Sequence, residues 1–403
     1  MRDTFLAFSP PLIGEEEIAE VVDTLRSDWL TTGPKVKRFE EEFAASTGAP
    51  AALALNSCTS AMHVALVTLG IGPGDAVITT PMTFCSTVHV IEQAGARPVL
   101  VDVEPDTLNI DPARIESALQ ELWRDEAGRL RVRALMPVHL YGHPCRMDEI
   151  LDIAARYDLA VIDDAAHALP ARYKQRAIGS FAESSATPVL TCFSFYATKN
   201  LNTGEGGMLA GSLAQIAEAR RWSLHGMNQD AWRRYGAEGS WYYEVDRAGF
   251  KYNMTDVQAA LGLQQLRRLP DLQARRQRIV ERYNAALSGL EELETPTVRP
   301  EVEHAWQLYT IRLNLDRCPV SRNRFIEEMK ARNIGTSVHF IPVHLHPYYR
   351  DKYGYSPASF PVAYHEYRRL VSLPLSPRMT ERDADDVIDA VCDIVKARQA
   401  RAA

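Results

Sequence analysis

The sequence predicts an α/β protein: a large domain built on a doubly wound, mostly parallel sheet, followed by a smaller C-terminal α+β domain. Three observations carry this expectation. The 403 residues are too many for one ordinary compact domain. Between about Ala51 and Gly211, short apolar runs alternate with amphipathic segments, the rhythm of a parallel sheet wrapped by helices. From about Thr295 the rhythm changes to a short α+β alternation, which puts the boundary within Leu272–Pro300. Residues 1–285 are assigned to the large domain, with the N-terminal segment, and 286–403 to the small one.

The strand candidates of the large domain are Ala52–Leu55, Ala76–Thr79, Val99–Val103, Ala134–Leu140, Ala160–Ile162, Thr191–Phe195 and Gly207–Ala210. Helix ends are readable between them. Asp111 followed by Pro112 is an N-cap with proline in the first turn, and Gly70 stops a helix over Ala61–Leu69. Thr255 and Gln258 form a capping box that opens a helix through Leu266, and a second helix spans Leu272–Leu287. In the small domain, strands are expected at Leu308–Leu313 and Thr336–Phe340, and helices at Arg322–Arg332 and Thr380–Ala397.

Composition narrows the function. Hydrophobic residues at 46% and charged residues at 24% describe a globular chain with a sizeable core. A net charge of -7 with interspersed signs leaves no basic stripe, so nucleic acid is not an expected partner. No apolar run reaches 18 residues, and a cytoplasmic protein without membrane contact is expected. The six cysteines include no Cys-x-x-Cys pair, so neither a metal site nor a disulfide framework is expected.

The chemistry concentrates where strands end. Lys199 follows the strand ending in Ser194-Phe195 and precedes Asn200-Leu201-Asn202-Thr203-Gly204, so it sits at the edge of the sheet where open α/β folds bind ligands. Read alone it is a surface lysine in a turn, as most lysines are. Its neighbours change that reading. Asp163-Asp164-Ala165-Ala166-His167 ends another apolar strand with two carboxylates. One of them, Asp164, can hold a protonated pyridine nitrogen and so make a bound ring an electron sink, whereas Asp163 reads as an N-cap of the next turn. His167 can lie beside such a ring or reach its phenolic oxygen. Asn56-Ser57-Cys58-Thr59-Ser60 joins a strand to a helix and offers N–H groups and hydroxyls to a phosphate, while also serving as an ordinary cap. Ser194 adds a hydroxyl. Phe84, after the second strand, is a stacking candidate, though a phenylalanine at a strand end is more often core.

With these residues in view, the chain resembles the DegT/DnrJ/EryC1/StrS sugar aminotransferases, a family of fold-type I enzymes dependent on pyridoxal 5'-phosphate (PLP). The resemblance runs through Ser27–Gly33, Gly70–Thr79, Pro137–Gly142, Asp163–His167, Ser194–Lys199, Gly249–Asp256, Val338–His344 and Ser372–Leu375, almost the whole chain. Asp163 departs from the family's commoner glutamate. The resemblance implies that Lys199 is the Schiff-base lysine, Asp164 the partner of the pyridine nitrogen, and His167 the neighbour of the phenolic oxygen. It implies that Phe84 stacks on the ring, that Cys58, Thr59 and Ser194 contact the phosphate, and that Asn253 reaches the phosphate of a neighbouring subunit in a homodimer. Thr32, Lys251, Arg234 and His339 are the matching substrate candidates.

A lysine rather than a histidine at position 199 implies transamination, not dehydration, with pyridoxamine phosphate as the aminated form of the cofactor. The expected partners are an amino-acid donor, glutamate, and a nucleotide-linked keto-sugar. His225–Met227, Asp230–Trp232, Arg234-Tyr235 and Trp241–Val245 resemble the branch of UDP-4-amino-4-deoxy-L-arabinose aminotransferases, which implies amination at C4. Amination at C3, an aminotransferase for amino acids, and a PLP-binding regulator are the alternatives.

Overall fold

The computed structural model describes residues 2–124, 130–183, 185–227 and 241–396. Its first part runs α1 (Glu15–Arg26), α2 (Pro34–Thr47), β1 (Ala51–Leu55), α3 (Cys58–Thr68), β2 (Asp75–Thr79), α4 (Ser86–Gln93) and β3 (Arg97–Leu100). It continues through α5 (Pro112–Arg124), β4 (Arg131–Leu135), α6 (Met147–Arg156), β5 (Ala160–Asp164), β6 (Val189–Ser194), β7 (Gly207–Gly211), α7 (Leu213–Ser223) and α8 (Asp256–Leu287). Among the described residues the central sheet has seven strands, ordered β1-β7-β6-β5-β4-β2-β3. It is parallel except for β7, which runs antiparallel to both β1 and β6. A smaller antiparallel sheet follows, made of β8 (Leu293–Glu294), β9 (Tyr309–Leu313) and β10 (Leu370–Leu373), with helices α9 (Arg322–Ala331) and α10 (Glu381–Lys396).

Two cores sandwich the central sheet because its strands are apolar on both faces. On one side Phe39 and Phe43 of α2, Ile115 of α5, Ile150 and Ile153 of α6, and Leu263 and Leu269 of α8 are buried. On the other, Met62 and Leu66 of α3, Val90 and Ile91 of α4, and Ile216 and Ala219 of α7 are buried. The rings of Phe43 and Phe193 lie 5.1 Å apart and those of Phe39 and Phe195 5.4 Å apart. This aromatic packing fixes the end of β6, from which the Lys199 loop departs.

Some sequence expectations are corrected. Ala134–Leu140 does not form one strand: β4 stops at Leu135, because Pro137 has no N–H to continue a ladder, and Leu140–Gly142 turns instead. Val99–Val103 also ends early, at Leu100. The helices expected on either side of Pro270 are one 32-residue helix, α8. Its buried face runs on through Leu266, Leu269, Leu272, Arg276 and Ile279, and that packing outweighs the N–H that Pro270 cannot donate. The second half of α8, with Ile279, Tyr283 and Leu287, enters the core of the small sheet. Thr336–Phe340 contributes only a bridge between Ser337 and Ser372. The Tyr141 hydroxyl takes the His339 carbonyl, so the ladder ends there. The N-terminal segment joins the small sheet's surroundings, with Leu6 bridged to Ile334 and the Phe8 carbonyl accepting the Leu375 N–H at 3.2 Å. Among the described residues no helix is long and apolar enough to cross a membrane.

The expected capping box forms at the start of α8, where the Thr255 hydroxyl accepts the Gln258 N–H. The next residue does more. The buried carboxylate of Asp256 accepts the N–H groups of Gly33 at 2.9 Å, Lys35 at 3.1 Å and Val36 at 2.9 Å, closing the first turn of α2 from more than 200 residues away. Asp256→Ala leaves those donors without their acceptor. It is expected to lower the free energy of unfolding by about 3 kcal/mol, read from urea denaturation. A loss well below about 1 kcal/mol would show that water replaces the carboxylate freely.

Candidate active site

Parallel strands β5 and β6 are neighbours, with Asp164 opposite Cys192, so their C-terminal ends deliver Asp164 and Ser194 to one edge of the sheet. There a cavity of about 500 Å³ is lined by Cys58, Thr59, Phe84, Asp164, His167, Ser194, Lys199 and His339, with Thr198, Gln307 and Phe340 among the others. Eight of the residues expected from sequence therefore share one cavity.

Asp164 is buried. Its carboxylate accepts the Thr87 hydroxyl at 2.7 Å and the Ala166 N–H at 3.2 Å. Burial raises its pKa, while these two bonds and the Lys199 charge act in the other direction. The cap expected of Asp163 is thus made by Asp164. Strand alternation turns Asp163 to the opposite face, where it accepts the Thr191 hydroxyl at 3.0 Å and burial pushes its pKa to about 7. Lys199 lies in a short loop after β6, its own N–H donated to the Tyr196 carbonyl at 2.9 Å. Its surroundings lower its pKa to about 8: desolvation is the largest cause, and Asp164 opposes it.

His167 has a defined tautomer. Its Nδ1 accepts the Tyr141 N–H at 3.2 Å, which places the proton on Nε2. Burial first, and then Lys199, hold the ring neutral, well below its ordinary pKa. Phe340 stacks on it at 5.8 Å. His339 pairs its Nδ1 with the Ser372 hydroxyl at 2.9 Å and stacks on Phe8 at 5.2 Å, and burial lowers its pKa to about 4. Phe84 is 59% exposed, which removes the core reading considered for it.

The other end of the cavity is the start of α3. Ser57 caps the helix by accepting the Ser60 N–H, and the first-turn N–H groups of Cys58 and Thr59 have no intrahelical acceptor. Strand β7 runs hard against this turn. A Cβ on Gly207 would lie 2.4 Å from the Ser57 carbonyl carbon and 2.5 Å from the Cys58 nitrogen, so glycine is required there. The arrangement can hold an anion at the helix start, a protonated ring nitrogen at Asp164 and a carbonyl carbon at Lys199.

Thr32, Lys251 and Asn253 form a separate cluster that does not line this cavity. The Lys251 ammonium donates to the Asn253 side-chain carbonyl. Asn253 Nδ2 donates to the Thr32 hydroxyl at 2.7 Å, and that hydroxyl donates to the Met254 carbonyl at 2.6 Å. Arg234, with Asp230, Trp232 and Tyr235, lies outside the described residues. Sequence reading missed Thr87, Tyr141 and Gln307. The Thr83-x-x-x-Thr87 spacing after β2 was a usable signal for the first, and the two hydroxyls do meet at 2.7 Å.

A mostly parallel sheet whose edge brings a half-buried lysine and a buried carboxylate into one cavity, beside a free helix start, defines a PLP-dependent transferase of fold type I. The chain belongs to the DegT/DnrJ/EryC1/StrS aminotransferase family, whose model matches residues 11–392. It is 52% identical over 397 residues, 98% of both chains, to the spore coat polysaccharide biosynthesis protein SpsC of Bacillus subtilis (strain 168). Among solved structures it is similar to the putative sugar aminotransferase Spr1654 from Streptococcus pneumoniae in its PMP form, at 33% identity and a TM-score of 0.87, covering 97% of this chain and 99% of that one. It is also similar to DesV of S. venezuelae in complex with a ketimine intermediate, at 32% identity and a TM-score of 0.83, over 96% and 98% of the two chains. Spr1654 has also been determined in a PLP form, and the family is PLP-dependent. The donor set above fits that group: amide donors for its phosphate, a carboxylate for its ring nitrogen and an amine for its carbonyl.

The Lys199 environment sets a pH dependence. Depressing an amine's pKa makes its protonated form the costly one, so the penalty is complete below about pH 8 and is relieved as pH rises towards the ordinary lysine value. In cofactor-free protein, the rate at which an amine-selective reagent labels Lys199 is expected to rise with a midpoint near pH 8, as mapped by peptide mass analysis. Asp164→Asn removes the charge that opposes the depression and should move the midpoint lower. An unchanged or higher midpoint in that variant would show that the two groups are not coupled.

Proposed function

We propose that this protein is a cytoplasmic homodimeric aminotransferase that moves the amino group of glutamate to C4 of a nucleotide-linked keto-sugar. The observation that carries the reading is the gathering of Lys199, Asp164, His167 and the α3 start around one cavity in a chain so similar to sugar aminotransferases. When bound, PLP supplies an electron sink for the bond broken at the donor's Cα.

The chain's own groups do the rest. The Cys58 and Thr59 N–H groups and the Ser194 hydroxyl bind the phosphate. Asp164 would hold the ring nitrogen in its protonated form, His167 would offer its Nε2–H to the phenolic oxygen, and Phe84 would lie against the ring. Lys199 would hold the cofactor's carbonyl carbon, and its amine in the free form would take up and return the proton at the donor's Cα. A pKa lowered to about 8 suits this task, because it brings proton uptake and release by the amine closer to neutral pH. His339, which lines the cavity, contacts the substrate, and Thr32, in the separate cluster, reaches it only across the subunit interface.

Asn253 and Lys251 serve the phosphate site of the other subunit in this reading, which accords with their not lining their own cavity. The base of the intervening segment is pinned near them by bridges between Leu224 and Lys251 and between Met227 and Val245. Trp241, Tyr242 and Tyr243 beyond it are exposed, and with Arg234 they offer charge to a diphosphate and flat surfaces to a base or sugar.

Supplying UDP- and dTDP-linked 4-keto and 3-keto hexoses with glutamate, and locating the new amine by NMR, tests the substrate. Amine at C4 is expected. Amine only at C3, or turnover only of amino-acid-derived keto acids, would replace the proposed acceptor while leaving the family assignment intact. Mixing an Asn253→Ala chain with a Lys199→Ala chain tests the shared site. Mixed dimers hold one site with both lesions and one with neither, so activity should return. Its absence from demonstrably mixed dimers would show that each chain completes its own site.

A further inference from the structure

Gln307 precedes β9, more than 100 residues from the Lys199 loop, and is 2% exposed. Its side-chain amide spans the lysine. The Oε1 atom accepts the Asn200 N–H at 3.0 Å, and Nε2 donates to the Thr198 carbonyl at 2.8 Å. One planar group thereby engages a peptide group on each side of Lys199. The partner residue is tied to the same segment: Asn200 Nδ2 donates to the Ala305 carbonyl at 2.7 Å and to the Leu169 carbonyl at 2.9 Å. That segment is itself registered on the loop after β4, through Ala305 N–H to Gly142 at 2.9 Å and Leu308 N–H to Tyr141 at 3.2 Å.

We propose that Gln307 is a positioning residue for Lys199, fixing the backbone from which its side chain swings. A lysine stem has four rotatable bonds, so where Nζ can travel depends on how firmly its Cα is held. Within the loop itself, the Lys199 backbone is held by its N–H to the Tyr196 carbonyl at 2.9 Å. Beyond Asn200 the loop continues into Thr203-Gly204-Glu205-Gly206, with Gly204 at φ +78°, a conformation few side chains adopt. With Gln307 in place the amine starts from one defined arc across the cavity. Without it, two peptide groups lose their partners and the loop must shift or admit water. This role rests on Lys199 being the working amine, but not on the identity of the sugar.

The test compares Gln307→Ala, which removes both bonds, with Gln307→His, whose neutral ring again offers one N–H and one acceptor nitrogen. In the PLP-loaded enzyme, Gln307→Ala should lower kcat by about 100-fold with KM for the amino donor changed by less than about threefold, the signature of a misplaced reacting group. Gln307→His should recover part of the loss. The second readout needs neither cofactor nor substrate. In cofactor-free protein, the pH midpoint for labelling Lys199 should rise from near 8 in Gln307→Ala, as a loosened loop lets water reach the ammonium. A midpoint that stays at the wild-type value in a folded Gln307→Ala protein would overturn the proposal, whatever happens to kcat. If that variant does not fold, Gln307→Met, which keeps the volume and removes both polar contacts, is judged by the same midpoint. A missing sugar product with a shifted midpoint would instead discredit the substrate reading.

Discussion

The structure depends on taking two opposite charges out of water at one edge of a sheet. Lys199 and Asp164 line the same cavity, and each would be costly there without the other. Their mutual effect is opposed by desolvation at both ends: burial lowers the lysine and raises the aspartate. The fold solves this by making β5 and β6 adjacent and parallel, so that their C-terminal ends open on the same side. Thr87 and the Ala166 N–H then supply the hydrogen bonds that keep a buried carboxylate tolerable. Antiparallel β7 brings Gly207 against the start of α3, and so that helix start is held beside this pair and not elsewhere along the sheet.

Much of this was legible because it is local. A strand that ends in Asp163-Asp164, and one that ends in Ser194 ahead of Lys199, announce themselves through apolar runs that stop at polar groups. The division of labour between the two aspartates was harder. Adjacent strand residues face opposite sides, so the one that reaches the cavity cannot also pair with Thr191 behind it. What sequence hid was long-range. Pro270 reads as a break, and only the continuous buried face from Leu266 to Ile279 shows why the helix goes on. The Thr336–Phe340 stretch has strand composition, yet its polar groups are spent on Tyr141 and Ser372 instead of a ladder. Gln307 carried no motif of its own, and Tyr141, inside the Pro137–Gly142 stretch, carried no sign of its role, because each acts through groups far away in sequence.

The cluster of Thr32, Lys251 and Asn253 shows the same principle across a larger span. Asp256 locks the first turn of α2, and with it the stretch just after Thr32, against the start of α8, just after Asn253. Leu55 bridges Asn253 as β1 ends, one step before the α3 turn. Residues from two distant parts of the chain are thus fixed within hydrogen-bond reach of one another. Ordering this partly buried polar set costs conformational entropy, which its mutual hydrogen bonds offset.

The electrostatics of the cavity follow from the burial of its inner groups. Burial drives four of them towards their neutral forms: Lys199 to about 8, His339 to about 4, His167 well below its ordinary value and Asp164 upwards. The cavity keeps two complements of opposite sign, the Asp164 carboxylate and the α3 start. It suits a ligand that carries its own separated charges, an anion at one end and a protonated ring nitrogen at the other, because the two fixed complements, a helix start and a carboxylate, lie at matching places. The neutral tautomer of His167, set by the Tyr141 N–H, is part of the same logic: it offers a hydrogen-bond donor without adding a cation that would compete with the ring for Asp164. Selectivity for the cofactor is therefore written into what the cavity leaves uncharged as much as into the groups that touch it.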